Sequence, residues 1–273
     1  MFVSYLAEQG LSQASIKVYL SAVRNLHVSA GLHEEFSKQL TPRLELVLKG
    51  IKKEKAKSSP PSRLPITVEI MGSIKSVLTL NPADYDNTLL WAACCLAFFG
   101  FLRCGEFTVP SQEAYDPDTH LSLADIALDD KDNPTVIQVT IKQSKTDPFR
   151  QGVDLYLGKT GKDICPVCAI IPYLVLRGAK PGPLFVFADS SYLTRQRFAS
   201  LVTSTLQRAG IDDKRYNTHS FRIGAATTAK DAGISDAHIK MLGRWKSSAY
   251  QLYIRTPRDQ LARLSEQLVA SGK

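Results

Sequence analysis

Apolar positions recur every three or four residues at the start of the chain and change character further on. Ile16, Tyr19, Leu20, Val23 and Leu26 share one helical face, with Ser12 as an N-terminal cap and Gly31 near the end. Thr41-Pro42 signals a second helix, running through Leu44, Leu48 and Ile51. Lys52 to Arg63 is polar and carries Ser58, Ser59, Pro60, Pro61 and Ser62, which marks a linker. Beyond it, Thr67 caps a predicted helix through Leu78, and the apolar run Leu89 to Leu102 reads as a core helix too short to span a bilayer. Strand character follows at Leu121–Leu128, Val136–Lys142 and Val153–Leu157, the last two joined by a polar turn with Asp147, Pro148 and Gly152. Helical segments then succeed one another: Pro166–Arg177, Leu193–Ala209, His219–Ala232, Ser235–Leu242 and Ser247–Arg255. A final amphipathic helix carries Leu261, Leu264 and Leu268.

The pattern predicts a mainly α protein with a small antiparallel β-sheet. It has a short helical domain (residues 1–57), a linker (58–63) and a larger α+β domain (64–273). The first domain is small for independent folding and looks shortened at its N-terminus.

Charge narrows the partner. The 273 residues hold 34 Lys and Arg against 26 Asp and Glu, a net charge of +8. Seven basic residues and two acidic ones lie between Arg43 and Arg63, with Lys49, Lys52, Lys53, Lys55 and Lys57 closely spaced. Such a cluster suits a polyanion, because phosphate contacts release condensed counterions, though a solvated basic linker is an equal reading. No charged segment followed by an apolar one opens the chain, which argues against secretion, and no segment suits a membrane. Five cysteines, several of them in apolar surroundings, fit reduced thiols better than structural disulfides. Cys165 and Cys168 form a lone CxxC with no second ligand pair, which argues against zinc.

The candidate chemistry is dispersed. Thr218-His219-Ser220-Phe221-Arg222 puts His219 and Arg222 one turn apart if a helix starts there, with free amides and a positive dipole end suited to phosphate. Alone, that pair is better explained as a surface histidine beside a salt-bridging arginine. Downstream come Gly243-Arg244-Trp245 and Tyr253-Ile254-Arg255; upstream, Arg103 and Glu106 follow the apolar helix. Lys145 sits near the predicted hairpin tip. A tryptophan beside a basic helix is usually packing, and a lysine at a turn is usually solvated.

The ordered set is harder to dismiss. Arg103, Lys145, His219, Arg222, Trp245 and Tyr253, in these local contexts, resemble the tyrosine recombinase (phage integrase) family over nearly the whole chain. Phe99-Gly100-Phe101-Leu102-Arg103 and Ser144-Lys145-Thr146-Asp147-Pro148 look like the eukaryotic branch in DIRS-like and Crypton-like mobile elements. The resemblance implies a helical (SAM-like) core-binding domain followed by a catalytic domain, and a site-specific recombinase or integrase working through a 3′-phosphotyrosyl intermediate. Tyr253 is then the nucleophile, with Tyr250 as rival. Arg103 and Arg222 neutralise the non-bridging phosphate oxygens. His219 donates a hydrogen bond or acts as a base, and Trp245 donates its indole N–H or packs the site. Lys145, with Lys142 as competitor, protonates the leaving oxygen. Glu106 holds an arginine or histidine in place, and Arg244 joins the five lysines as a DNA contact. The family uses no metal and no cofactor. Its partners are double-stranded DNA and further copies of the chain, a tetramer on paired sites, with the last helix docked on a neighbouring protomer. A eukaryotic origin implies the nucleus, any other the cytoplasm. Two other readings remain: a catalytically silent, domesticated DNA-binding protein, and a type IB topoisomerase-like enzyme.

Overall fold

In a computed structural model that describes residues 1–32, 41–56, 62–81, 84–144, 147, 149 and 151–255, the chain divides into two units, Met1–Ser62 and Arg63–Lys273. The first unit contains α1 (Phe2–Glu8), α2 (Gln13–Ser29) and α3 (Thr41–Ala56). Ser12 caps α2 as predicted, its Oγ accepting the Ser15 N–H at 3.1 Å. A small core gathers Val3, Leu6, Ile16, Leu48 and Ile51. The apolar face of α2 is narrower than its spacing suggests. Leu26 and Tyr19 are exposed, because three short helices cover only the stripe around Ile16 and Leu20. The short α1 escaped prediction, since Met1 offers it no side-chain cap. Lys49, Lys52 and Lys53 are exposed on α3; Lys57 lies outside the described residues.

The second unit is built around one helix. α4 (Val68–Leu78) begins behind Thr67, whose Oγ1 accepts the Ile70 N–H. Asp84 caps α5 (Tyr85–Phe99), accepting the Asn87 N–H at 2.9 Å. Every residue of α5 from Leu89 to Phe98 is buried, so this helix is apolar on all sides and forms the centre of the main core. α6 (Pro166–Arg177) packs on it. Strands β1 (Ile126–Leu128), β2 (Val136–Ile141) and β3 (Val153–Gly158) form an antiparallel sheet in that order. Ile137, Val139 and Ile141 alternate into the core, with Ile137 opposite Leu157.

Leu121–Leu128 was expected to be strand throughout. Only Ile126–Leu128 is, because Asp125 accepts both the N–H and the hydroxyl of Ser122 and closes a tight turn instead. α7 (Arg195–Arg208), α8 (Ser220–Asp231) and α9 (Asp236–Leu242) follow. The predicted helix over Ser247–Arg255 is present as a short, tightly wound 3-10 helix, Ser248–Tyr253, ending in extended backbone at Ile254. Its polar groups go to tertiary partners. Thr227 Oγ1 on α8 donates to the Tyr253 carbonyl at 3.3 Å and accepts the Arg255 N–H at 3.0 Å. The helix expected around Leu261, Leu264 and Leu268 lies outside the described residues.

One close approach fixes α8. The segment entering this unit crosses the helix, with the Ile66 N–H donating to the Ser220 carbonyl at 3.0 Å. Gly224 makes the crossing possible, since a Cβ there would stand 1.8 Å from the Ile66 carbonyl oxygen.

Candidate active site

Three chain segments meet where α5 ends, α8 begins and the chain leaves α9. After α5, Phe101 adopts a left-handed conformation with φ of 50°. This turns the chain so that Arg103 and Glu106 face each other. Glu106 accepts the Arg103 N–H at 2.8 Å and its guanidinium at 2.9 Å. At the start of α8, Asn217 Oδ1 accepts the His219 N–H at 2.9 Å. One turn on, Arg222 is fully buried, its Nη1 donating to the Phe101 carbonyl and its Nη2 to the Gly243 carbonyl. After α9, Arg244 is also left-handed, with φ of 55°. The Trp245 ring folds back over Gly243, where a Cβ would meet it at 1.6 Å. Both left-handed residues carry a Cβ, which costs about 1 kcal/mol each, and they adjoin the carbonyls that hold Arg222.

Tyr253 closes the group. Its ring centroid lies 5.0 Å from that of His219 and 4.9 Å from that of Trp245. The Arg222 guanidinium carbon is 4.3 Å from the Trp245 centroid and 5.6 Å from the Tyr253 centroid. His219, Arg222, Trp245 and Tyr253 thus form one contact cluster. Beside it opens a cleft of about 480 Å³, lined by Arg103, Glu106, Ser144, Arg195 and His219 among others. Burial lowers the His219 pKa, and the positive charges of Arg222, Arg103, Arg195 and Arg255 lower it further. The imidazole is therefore neutral at pH 7 and has a lone pair to accept a proton. Burial also lowers the pKa of Arg222, as do Arg103 and Arg244, but a guanidinium remains charged at neutral pH.

No family model matches the chain, and no curated protein matches it in sequence. Solved structures do match. XerA recombinase superposes with a TM-score of 0.54 at 17% identity, covering 97% of this chain and 95% of its own. The Tn1549 transposon integrase, bound to transposon right-end DNA, gives 0.59 at 14%, covering 98% and 83%. XerH site-specific recombinase, in a post-cleavage complex with palindromic difH substrate, gives 0.56 at 15%, with 76% of this chain covering 53% of the XerH chain. The fold is that of the tyrosine recombinases.

Within this recombinase fold, the remaining expected residues fare differently. Lys145 lies outside the described residues, although its neighbours Gln143 and Ser144 line the cleft. Its competitor Lys142 is pinned elsewhere, with Nζ 2.7 Å from Asp125 and 2.7 Å from the Pro117 carbonyl. Tyr250, the rival nucleophile, is buried, its ring centroid 6.4 Å from that of Trp245. Trp245 Nε1 is buried and makes no hydrogen bond, so its N–H donor stays unused while the ring packs against Tyr253 and Arg222.

Arg244 needs correcting. It was expected at a DNA-facing surface, yet its side chain is 9% exposed. Nη2 meets Glu106 at 2.7 Å and Nη1 donates to the Gly100 carbonyl at 3.0 Å, because the left-handed turn aims it inward. Glu106 consequently bridges Arg103 and Arg244.

Arg195 was missed by sequence reasoning. It is exposed at the first position of α7, on the cleft wall. A signal existed: Arg195 and Arg197 occupy a first turn with no acidic residue, against the helix dipole. Arg197 is held by Ser191 and lies over the Phe187 ring, which leaves Arg195 facing the cleft. Among the described residues, no group of three or more His, Cys, Asp or Glu is placed to hold a metal ion, and no helix is long and apolar enough to cross a membrane.

Proposed function

We propose that this chain is a site-specific DNA recombinase that breaks and rejoins duplex DNA through a 3′-phosphotyrosyl intermediate. The observation that carries the reading is the seat of Tyr253, between a neutral histidine and an indole and over a buried guanidinium. The scissile phosphate enters the cleft beside Arg103, which neutralises its non-bridging oxygens. Arg222 adds positive field from beneath, fixed in place by two carbonyls. The Tyr253 oxygen bonds to phosphorus as His219 takes the phenolic proton, and the bond to the 5′ oxygen breaks. Lys145 gives that leaving oxygen its proton. Rejoining reverses each step with a second strand. Glu106 keeps Arg103 and Arg244 oriented, and Arg244 holds the Trp245 turn.

Arg195 and the exposed lysines Lys49, Lys52 and Lys53 grip flanking phosphates, together with Lys55 and Lys57. The stripe of Leu261, Leu264 and Leu268 docks on a neighbouring copy within a tetramer on paired sites. The Phe99–Arg103 and Ser144–Pro148 phrases put the chain with eukaryotic mobile elements, working in the nucleus without metal or cofactor.

A nicked suicide substrate tests the reaction. It should trap a covalent adduct that tryptic mapping assigns to Tyr253, and Tyr253→Phe should abolish it. An adduct surviving in that variant overturns the nucleophile. A salt-dependent gel shift without any adduct indicates the silent binder instead, and relaxation of supercoils at any sequence by a monomer indicates the topoisomerase.

A further inference from the structure

The N-terminus of α6 carries two thiols in different states. Cys165 is its capping residue, with extended backbone, Pro166 takes the first helical position, and Cys168 stands one turn on. Cys165 is 2% exposed; Cys168 is exposed. The Cys165 sulfur accepts the Thr160 N–H at 3.4 Å, and the Thr160 hydroxyl ties the loop by donating to the Ile164 carbonyl at 2.9 Å. We propose that Cys165 and Cys168 form a redox-active dithiol that exchanges with a low-molecular-weight, anionic disulfide such as oxidised glutathione.

The geometry gives each thiol a separate part. A cap and a residue one helical turn away bring their Cα atoms within the roughly 4.4–6.8 Å that a disulfide requires. Burial raises the Cys165 thiol, but the hydrogen bonds from Cys168 and Thr160 outweigh it and bring it to about 7. Burial, and the charge on Cys165, raise Cys168. Cys168 is thus the point of entry and Cys165 the resolving thiolate.

A cleft of about 220 Å³ adjoins them, lined by Lys75, Asn87, Thr88, Trp91 and Asp163. Exposed Lys159 places positive charge on Cys168, which suits a disulfide bearing carboxylates, while Lys75 is already paired with Asp163. The remaining cysteines, Cys94, Cys95 and Cys104, are buried, so a disulfide in solvent does not reach them.

The exchange balances in two steps. Cys168 gives up its proton and attacks the small disulfide as the thiolate, forming a mixed disulfide, and the small thiolate that leaves takes up that proton as a thiol. The Cys165 thiolate then attacks the Cys168 sulfur and expels the second small thiolate. Two protein thiols are oxidised and one small disulfide is reduced to two thiols. This chemistry holds whether or not the chain recombines DNA.

The test equilibrates the full chain in graded ratios of reduced and oxidised glutathione, quenches with an alkylating reagent and maps peptides by mass spectrometry. The tryptic peptide Asp163–Arg177 holds both thiols and no other. The expected result is an internal bridge in that peptide across part of the range. Cys168→Ser, at an exposed position, should prevent any bridge and leave Cys165 without glutathione. Cys165→Ser should trap glutathione on Cys168. Two dithiols unchanged across the whole range, or a bridge mapping to Cys95 and Cys165, would overturn the proposal. Should Cys165→Ser fail to fold, the wild-type map and Cys168→Ser decide it.

Discussion

The floor and the rim of the candidate site are built on opposite principles. The floor is Arg222, Glu106 and Arg244, nearly sealed from water and held by the carbonyls of Gly100, Phe101 and Gly243. The rim is Arg195, His219 and Tyr253, at least partly exposed. It is fixed by ring contacts and, through Tyr253, by one threonine. In the proposed reaction the floor would supply a fixed field, and the rim the groups that transfer atoms and touch DNA. A preorganised field costs no reorganisation during reaction, whereas an attacking group must move.

The contrast can be tested from the floor upward. Glu106→Gln leaves two guanidinium groups, the buried Arg244 and the partly exposed Arg103, without their counter-charge. Stability should fall by about 3 kcal/mol in urea unfolding, and cleavage by about a hundredfold in single-turnover assays. A variant of full stability would show the floor to be less sealed than its geometry indicates. The His219 pKa gives the next effect. Its folded value lies below the ordinary 6.5, so the unfolded chain takes up the proton first. Stability should hold above pH 6.5 and decline as pH falls below it, with cleavage flat from pH 7 to 8; a His219→Gln variant should lose the acid-side decline in stability. Thr227→Val removes both hydrogen bonds to the Tyr253 turn. About 1 kcal/mol of stability should go, and cleavage at saturating DNA should drop several-fold while affinity stays constant. The smallest effect belongs to Arg195→Ala. The fold should be untouched, and the slope of log affinity against log salt should shrink by about 1.

Much of this arrangement is written locally. Ser12, Thr67 and Asp84 stand as caps beside the helices they start, and the unbroken apolar run of α5 declares a buried helix. His219 and Arg222 fall on one face because their spacing matches one turn of α8. What stayed hidden depends on distant partners. Phe101 and Arg244 occupy conformations that glycine usually marks, so their turns leave no trace in composition. Arg244 and Lys142 looked like surface cations. Glu106 and Asp125 claim them only once segments far apart in sequence meet. The segment up to Tyr253 has helix-forming residues, yet Thr227 on α8 draws the polar groups at its end out of the helical ladder.

The crossing at Gly224 has a genetic consequence. With a Cβ at that position standing 1.8 Å from the Ile66 oxygen, any coding change there forces the two backbones apart beneath the helix that carries His219 and Arg222. A drifting copy of this gene can thus lose its activity through a single codon while every reactive side chain is still spelled out, so decay in such copies is to be sought at this glycine as well as among the residues of the chemistry.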